Sequence, residues 1–502
     1  MPNDNVNESE ANPPNSIPAS DTSPPPSDSN PPPKGGGLFF GHPPGLSTLF
    51  FTEMWERFSY YGMRAILVLY MVAEPSQGGM GYSMEHATQI YGTYTMLVYM
   101  SSIPGGFLAD KVFGFRLAVF IGGAIIALGH FTMAIPSIQA FYTGLGLIIF
   151  GTGLLKPNIS SIVGSLYPVE DKRRDSGFSI FYMGVNVGGA ISPLVCGYLA
   201  QSKEFRSLLS SWHLDPLSSW HYGFAAAGFG MLLGLTQYVL GRKRLGGAGE
   251  KPDRKKVKTT QATNAGSAET TNAGSAEATN AAGAGPLTGD ELKRIGAIFI
   301  LFFFALLFWS VYEQGGSSLN VFADQLVDCS IFGWQYPSSW LQSYQAVFVI
   351  ILAPLFSVLW LKLGRREPSS PAKFAYGLLF LGLGIALMVP AAFLAHHGKV
   401  NALWLVAVYF LEVVGEMCLS PVGLSTVTKL APLRFLGLSM GVWYLSSAFG
   451  NKIAGLFAGT FNAADTMSMV TLFGSMAGAA MAAALILLFL TPTVRKLMTG
   501  IH

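Results

Sequence analysis

Apolar stretches of membrane-crossing length follow one another along most of this chain. A crossing helix needs about 20 predominantly apolar residues at 1.5 Å of rise each. Twelve such stretches occur, at 47–73, 86–110, 115–135, 138–166, 176–200, 221–241, 295–322, 341–363, 374–395, 401–428, 435–459 and 467–491. Glycine and proline recur inside them, as at Gly105, Gly106, Gly151, Gly153, Pro157, Gly188 and Gly189. In water these residues argue against helices. In a membrane, small residues let helices approach closely, and neighbours re-satisfy a kinked backbone. The pattern predicts an all-α polytopic membrane protein whose twelve transmembrane helices form two six-helix bundles.

Two polar segments interrupt the pattern. Residues 1–45 are rich in proline and serine (SPPPSDSNPPPKGGG), lack a basic start and do not read as a signal peptide. They are expected to be a disordered polar tail, because they offer too little apolar surface to order. Residues 242–290 open on Arg242-Lys243-Arg244, pass through KPDRKKVK and repeat TNAGSAE at 263–269 and 271–277. A flexible cytoplasmic linker resting near anionic lipid is expected there. The domains predicted are therefore the tail, a first bundle over 46–241, the linker, and a second bundle over 291–502.

Composition sharpens this picture. Charged residues make up 12% of the chain and hydrophobic ones 50%, against about 25% charged in an average soluble protein. That excludes a soluble enzyme and a nucleic-acid binder. Three scattered cysteines, Cys196, Cys329 and Cys418, suggest neither a disulfide framework nor a metal site and read as small apolar residues. With both termini placed in the cytoplasm, 24 lysines and arginines fall on the cytoplasmic side and only Lys203, Arg206 and Lys399 on the other. This asymmetry predicts the orientation and supports an even number of spans.

Nine ionisable residues fall inside the predicted spans: Glu53, Glu56, Arg57, Arg64, Lys156, Glu313, Glu412, Glu416 and Lys452. Each costs at least ~2.5–3.5 kcal/mol at the bilayer centre, so they must pair or line a watered cavity. Lys452 and Glu412 read as end residues that snorkel to the interface. The first-span group does not. Glu53, Arg57, Tyr61 and Arg64 recur at steps of 4, 4 and 3, with Glu56 and Tyr60 beside them. They form one polar stripe roughly 16 Å long, about half the membrane, which must face an internal path. In such a stripe a proton on one glutamate frees its arginine for another anion.

These residues carry a resemblance. The run Glu53-Met-Trp-Glu56-Arg57-Phe58-Ser59-Tyr60-Tyr61-Gly62 is similar to the first-helix motif of the proton-dependent oligopeptide transporter (POT/PTR) family of the major facilitator superfamily. Further blocks agree in order, at Gly151–Asn158, Phe181–Gly189, Phe308–Gly316 and Gly415–Leu424. Gly106–Arg116 is similar to the superfamily's loop between helices two and three. The resemblance covers about 46–491. It implies the major facilitator fold and proton-coupled symport of di- and tripeptides by alternating access, with protons as the coupling ion and no cofactor. It implies a multi-pass protein of the plasma (inner) membrane, neither an enzyme nor a nucleic-acid partner.

The resemblance also implies roles. Arg57 and Lys156, with Arg64 nearby, match residues at the peptide carboxylate end, and Glu416 and Asn186 match those at the amino end. Tyr61, Tyr99, Trp309, Ser420 and Trp443 match pocket-lining positions, where aromatic walls accept varied side chains. Glu53, Glu56 and Glu313, with Arg57, are implied in proton coupling. Two gates are expected, Arg64 with Glu313 on the outer side and Lys156 with Glu416 answering to substrate.

This sequence departs from the family at two points. Gln342-Ser343 is followed by Tyr344-Gln345-Ala346 rather than Asn-Pro, so Gln345 is the remaining amide at that position. The second span reads Tyr91-Gly92-Thr93-Tyr94 without the histidine of many members, which leaves coupling to carboxylates. His130 reads as a core residue. An alternative on the same fold is a proton-coupled carrier of a non-peptide or peptide-like solute. An intramembrane protease or a channel fits less well, because no Ser–His or HExxH arrangement lies in the spans and the charges are spread over both halves.

Overall fold

The computed structural model describes residue 39 and residues 41–168, 171, 173–250, 287–432 and 435–498. The expected tail, up to residue 38, and 251–286 of the expected linker lie outside the described residues. Among the described residues, twelve long helices carry the chain. The first six are α1 (Gly45–Val72), α2 (Met84–Met100), α3 (Phe115–Met133), α4 (Ile138–Ser165), α5 (Arg174–Gln201) and α6 (Ser219–Gly241). The second six are α7 (Gly289–Tyr312), α8 (Ser343–Leu363), α9 (Ser370–Ala386), α10 (Leu403–Leu430), α11 (Leu436–Ala458) and α12 (Thr466–Leu497). Among the described residues, nine helical segments are long and apolar enough alone to cross a membrane. The other three spans are α1, which carries four charges, the short α2, and α11, which is diluted by Gly, Ser, Asn451 and Lys452. The chain is a multi-pass integral membrane protein.

Helix ends follow local chemistry. Thr288 caps α7 with its hydroxyl on the Glu291 N–H while the Glu291 carboxylate accepts from the Thr288 N–H, a reciprocal capping box. Three of the expected spans are broken rather than continuous. The span after α7 tightens into a 3-10 turn at Glu313–Gly316, where Gly315 and Gly316 weaken the helix, and restarts as Ser318–Leu326. The second breaks at Ser101 ahead of Pro104, and the ninth at Leu387 ahead of Pro390. The start of the expected linker is packed: Arg116 pairs with Glu250 at 2.7 Å and donates to the carbonyl oxygens of Ala248, at 2.7 Å, and Gly246.

Within the first half α1 packs against α5 and α6, and α3 against α4; within the second, α9 packs on α10 and α12, and α7 on α11. The α1–α5 crossing depends on Gly188, where a Cβ would stand 2.1 Å from the Met54 carbonyl oxygen. The halves meet through α2–α11 and α5–α8. At the first seam Gly92 and Gly455 bring the backbones together: a Cβ on Gly455 would lie 2.5 Å from the Thr88 oxygen and 2.9 Å from the Gly92 Cα. Lys452 crosses this seam and donates to Thr93 Oγ1 at 2.6 Å, so it bridges the halves rather than snorkelling.

All these seams lie toward the face with few basic residues. There Asn320 donates to the Ala65 carbonyl at 2.8 Å, Trp340 to that of Leu194 at 3.0 Å, and Gln201 to Asp324 Oδ1 at 3.1 Å. The molecule is closed on that side.

Candidate functional site

Between the halves, on the basic side of these seams, lies a cavity of about 370 Å³, in the range of about 300–1,000 Å³ typical of small-molecule sites. It extends toward the basic face as far as Ser160 and Leu424. Of the expected site residues it brings together Glu53, Arg57, Tyr61, Arg64, Tyr99, Lys156, Asn186, Trp309, Glu313, Gln345, Glu416 and Ser420. Seven helices supply these expected residues, and each side chain follows from its helical phase: Arg57, Tyr61 and Arg64 fall on one face of α1, and Glu416 and Ser420 on one face of α10.

Two expected residues are elsewhere. Glu56 is fully buried beside Arg57 and does not line the cavity. Trp443 is buried against Phe374, with ring centroids 5.9 Å apart, and against Gly423, where a Cβ would meet its indole at 2.4 Å. Its helical neighbour Tyr444 lines the cavity instead.

The cationic end is built on α1 and α4. Arg57 Nε stands 2.8 Å from Glu53 Oε1 and 2.6 Å from Glu56 Oε2, one guanidinium between two buried carboxylates. Its Nη2 is buried and has no hydrogen-bond partner among the described residues. A buried guanidinium nitrogen without an acceptor is costly, and here the group lines the cavity wall. Lys156 stands with Nζ 4.1 Å from the Tyr99 ring centroid, a cation over an aromatic face. Among the described residues it makes no ion pair.

The closed end is sealed by Arg64, which forms an ion pair with Glu313 and donates to the Tyr91 hydroxyl at 2.5 Å. The expected outer gate is therefore formed, and it joins α1 to the broken turn after α7. The second expected pair is not: Glu416 accepts from the Tyr312 hydroxyl at 2.6 Å, and Lys156 is over Tyr99. Asn186 donates to the Tyr182 carbonyl at 3.0 Å, which leaves its side-chain oxygen as an acceptor.

Sequence reasoning missed Tyr312, Tyr182, Tyr444 and Glu412. Tyr312 lies three residues after Trp309, on the same helical face, which was a readable signal. Glu412 is the larger correction. It does not snorkel: it is fully buried and accepts from Gln345 Nε2 at 2.9 Å, while its Oε1 has no partner. Its position one turn before Glu416 on α10 was the available signal. His130 is a core residue, buried 3.2 Å from the Ser59 hydroxyl.

Comparison with known proteins bears on this arrangement. Residues 116–475 match the model of the POT family. The uncharacterized transporter YclF of Bacillus subtilis (strain 168) is 43% identical over 496 residues, covering 92% of this chain and 96% of that protein. The peptide transporter YePEPT of Yersinia enterocolitica is 36% identical over 511 residues, covering 93% and 97%. A crystal structure of a peptide transporter POT variant in complex with alafosfalin superposes with a TM-score of 0.79 at 42% identity, covering 92% of this chain and 97% of that one. Two helical halves around a central cavity are thus the major facilitator arrangement that the first-helix motif implied. Matched through both halves and along nearly the whole length of its relatives, the chain belongs to the POT family.

Proposed function

We propose that this protein is a proton-coupled symporter that imports di- and tripeptides by alternating access. The observation that carries the reading is the polarity of the cavity: Arg57 Nη2 and Lys156 offer unpaired cationic donors from α1 and α4, and Glu416 and Asn186 offer acceptors from α10 and α5. A zwitterionic peptide needs both ends, cations for its carboxylate and acceptors for its ammonium. The cavity volume of about 370 Å³ suits a small solute. The names of relatives such as the peptide transporter of Yersinia enterocolitica support the same substrate class.

Arg57 and Lys156 bind the peptide carboxylate, with Arg64 nearby. Glu416 and Asn186 take the ammonium, Gln345 contributes an amide, and Tyr61, Tyr99, Trp309 and Ser420 form walls. Protons are carried by Glu53, Glu56 and Glu313. A proton on Glu56 or Glu53 removes one of the two charges that hold Arg57 and releases the guanidinium toward the substrate. A proton on Glu313 breaks its ion pair with Arg64 and loosens the closed side. The basic face is cytoplasmic, as the asymmetry of lysine and arginine along the sequence predicts, and the membrane is the plasma (inner) membrane.

The test is counterflow of a labelled dipeptide in proteoliposomes, against di-, tri- and tetrapeptides and single amino acids, with and without a pH gradient. Exchange by di- and tripeptides, and accumulation only with the gradient, are the expected results. Exchange by a non-peptide solute alone would move the protein to the alternative substrate class.

A further inference from the structure

Glu412 is a buried acid that the proposed cycle does not use. Its side chain is withdrawn from both water and the cavity lining, and among the described residues no cation lies within ion-pair distance of it. What surrounds it is acidic or neutral. On its own helix stand Glu416, one turn on, and Tyr409, whose hydroxyl is buried and unpartnered. Beyond α7 lies Glu313, engaged by Arg64, and on α7 lies Tyr312, engaged by Glu416. From α9 the neighbour of its backbone is Gly384, and from α8 it meets Gln345. Its one hydrogen bond is to Gln345 Nε2, at 2.9 Å, and Gln345 is a cavity residue.

An ionised carboxylate only accepts, so it requires the NH2 end of the carboxamide and leaves the Gln345 oxygen as the atom available to the site. A protonated carboxyl is also a donor. A proton on Glu412 Oε1 has no acceptor, and one on Oε2, the oxygen that faces Gln345, meets the donating NH2 group. Turning the carboxamide over brings the Gln345 oxygen to an O–H on Oε2 and presents the NH2 group to the cavity instead. The proton comes from cavity water and no other bond changes. A carbonyl oxygen attracts a substrate ammonium and an NH2 group repels it.

We infer that Glu412 is a positioning residue whose charge decides which end of the Gln345 carboxamide faces the cavity, and through it how strongly the site holds a free ammonium. The inference rests on the proposed peptide reading. Arrival of a proton at Glu412 then weakens the amino-end grip without touching Arg57 or Lys156, which is a route to substrate release.

The test uses the full chain in proteoliposomes. A labelled dipeptide is competed by dialanine and by N-acetyl-dialanine across pH, and the ratio of their inhibition constants is read, so that effects common to both cancel. In the unaltered protein the preference for the free amine is expected to fall roughly tenfold or more as pH falls, the size of a hydrogen bond to a charged group. In Glu412→Gln, whose side chain carries no titrating proton, the ratio is expected to be flat with pH. In Gln345→Met it is expected to be flat and low. A flat ratio in the unaltered protein, or a pH-dependent ratio that survives in Glu412→Gln, overturns the inference. Absence of any dipeptide counterflow in the unaltered protein would instead overturn the peptide reading itself.

Discussion

On α1 the carboxylates of Glu53 and Glu56 lie against a guanidinium, whereas on α10 those of Glu412 and Glu416 are held by neutral donors, Gln345 and Tyr312. Both helices bury two acids, one turn or less apart. The first balances its charge with arginine, and the second can be balanced only by a proton or by a cationic ligand. On the proposed reading, the paired charges answer to an incoming anion, which competes for the guanidinium, and Glu416, which lines the cavity, answers to an incoming ammonium.

The sharpest way to break the comparison is to remove the arginine. Arg57→Ala leaves Glu53 and Glu56 buried without a cation, a change that costs about 3–5 kcal/mol in a buried pair. Loss of peptide uptake and a lower midpoint of thermal unfolding in detergent are expected. Arg57→Lys is expected to recover fold but not uptake, because one ammonium lacks the fork that serves two carboxylates and a substrate. Glu56→Gln keeps the shape and removes one titrating group. Counterflow is expected to persist while accumulation against a gradient is lost; accumulation by this variant would show that the proton is carried elsewhere.

A fourth variant acts on the seam rather than on charge. Gly455→Ala places a Cβ 2.5 Å from the Thr88 oxygen, and overpacking of this kind costs about 1–3 kcal/mol. If the closed side forms only with that seam, the ratio of closed to open molecules falls by about fivefold to 150-fold. Faster labelling of a cysteine introduced at Ser318, on a Cys329→Ser background, would report it. The smallest effect is expected at Trp443, which packs on Phe374 away from the cavity. Trp443→Phe should cost on the order of 1 kcal/mol of stability and leave KM unchanged, whereas Tyr444→Ala should raise KM.

The sequence made twelve spans legible because apolar length is a bulk property that no tertiary contact overrides. It made the α1 stripe legible because four polar residues at helical spacing cannot face lipid. The breaks after Tyr312 and at Leu387 were harder to read, since Gly315, Gly316 and Pro390 are also tolerated inside membrane helices. Trp443 and Tyr444 are separated by one residue, about 100° of helix, and only packing decides which of them enters the cavity. Glu412 was misread as an end residue although it lies well inside its span, one turn before Glu416, because nothing local in the sequence shows what would hold it inward. Its partner, Gln345, is 67 residues away and on another helix. That pairing is a fact of tertiary structure.

The central claim is that one cavity binds a zwitterion and couples it to protons. The measurement that tests it most directly is peptide-driven proton movement in proteoliposomes, followed with an entrapped pH-sensitive dye. An inward dipeptide gradient is expected to acidify the lumen of vesicles bearing the unaltered protein, and not of those bearing Glu56→Gln. Dipeptide entry with no change in luminal pH in the unaltered protein would contradict the account.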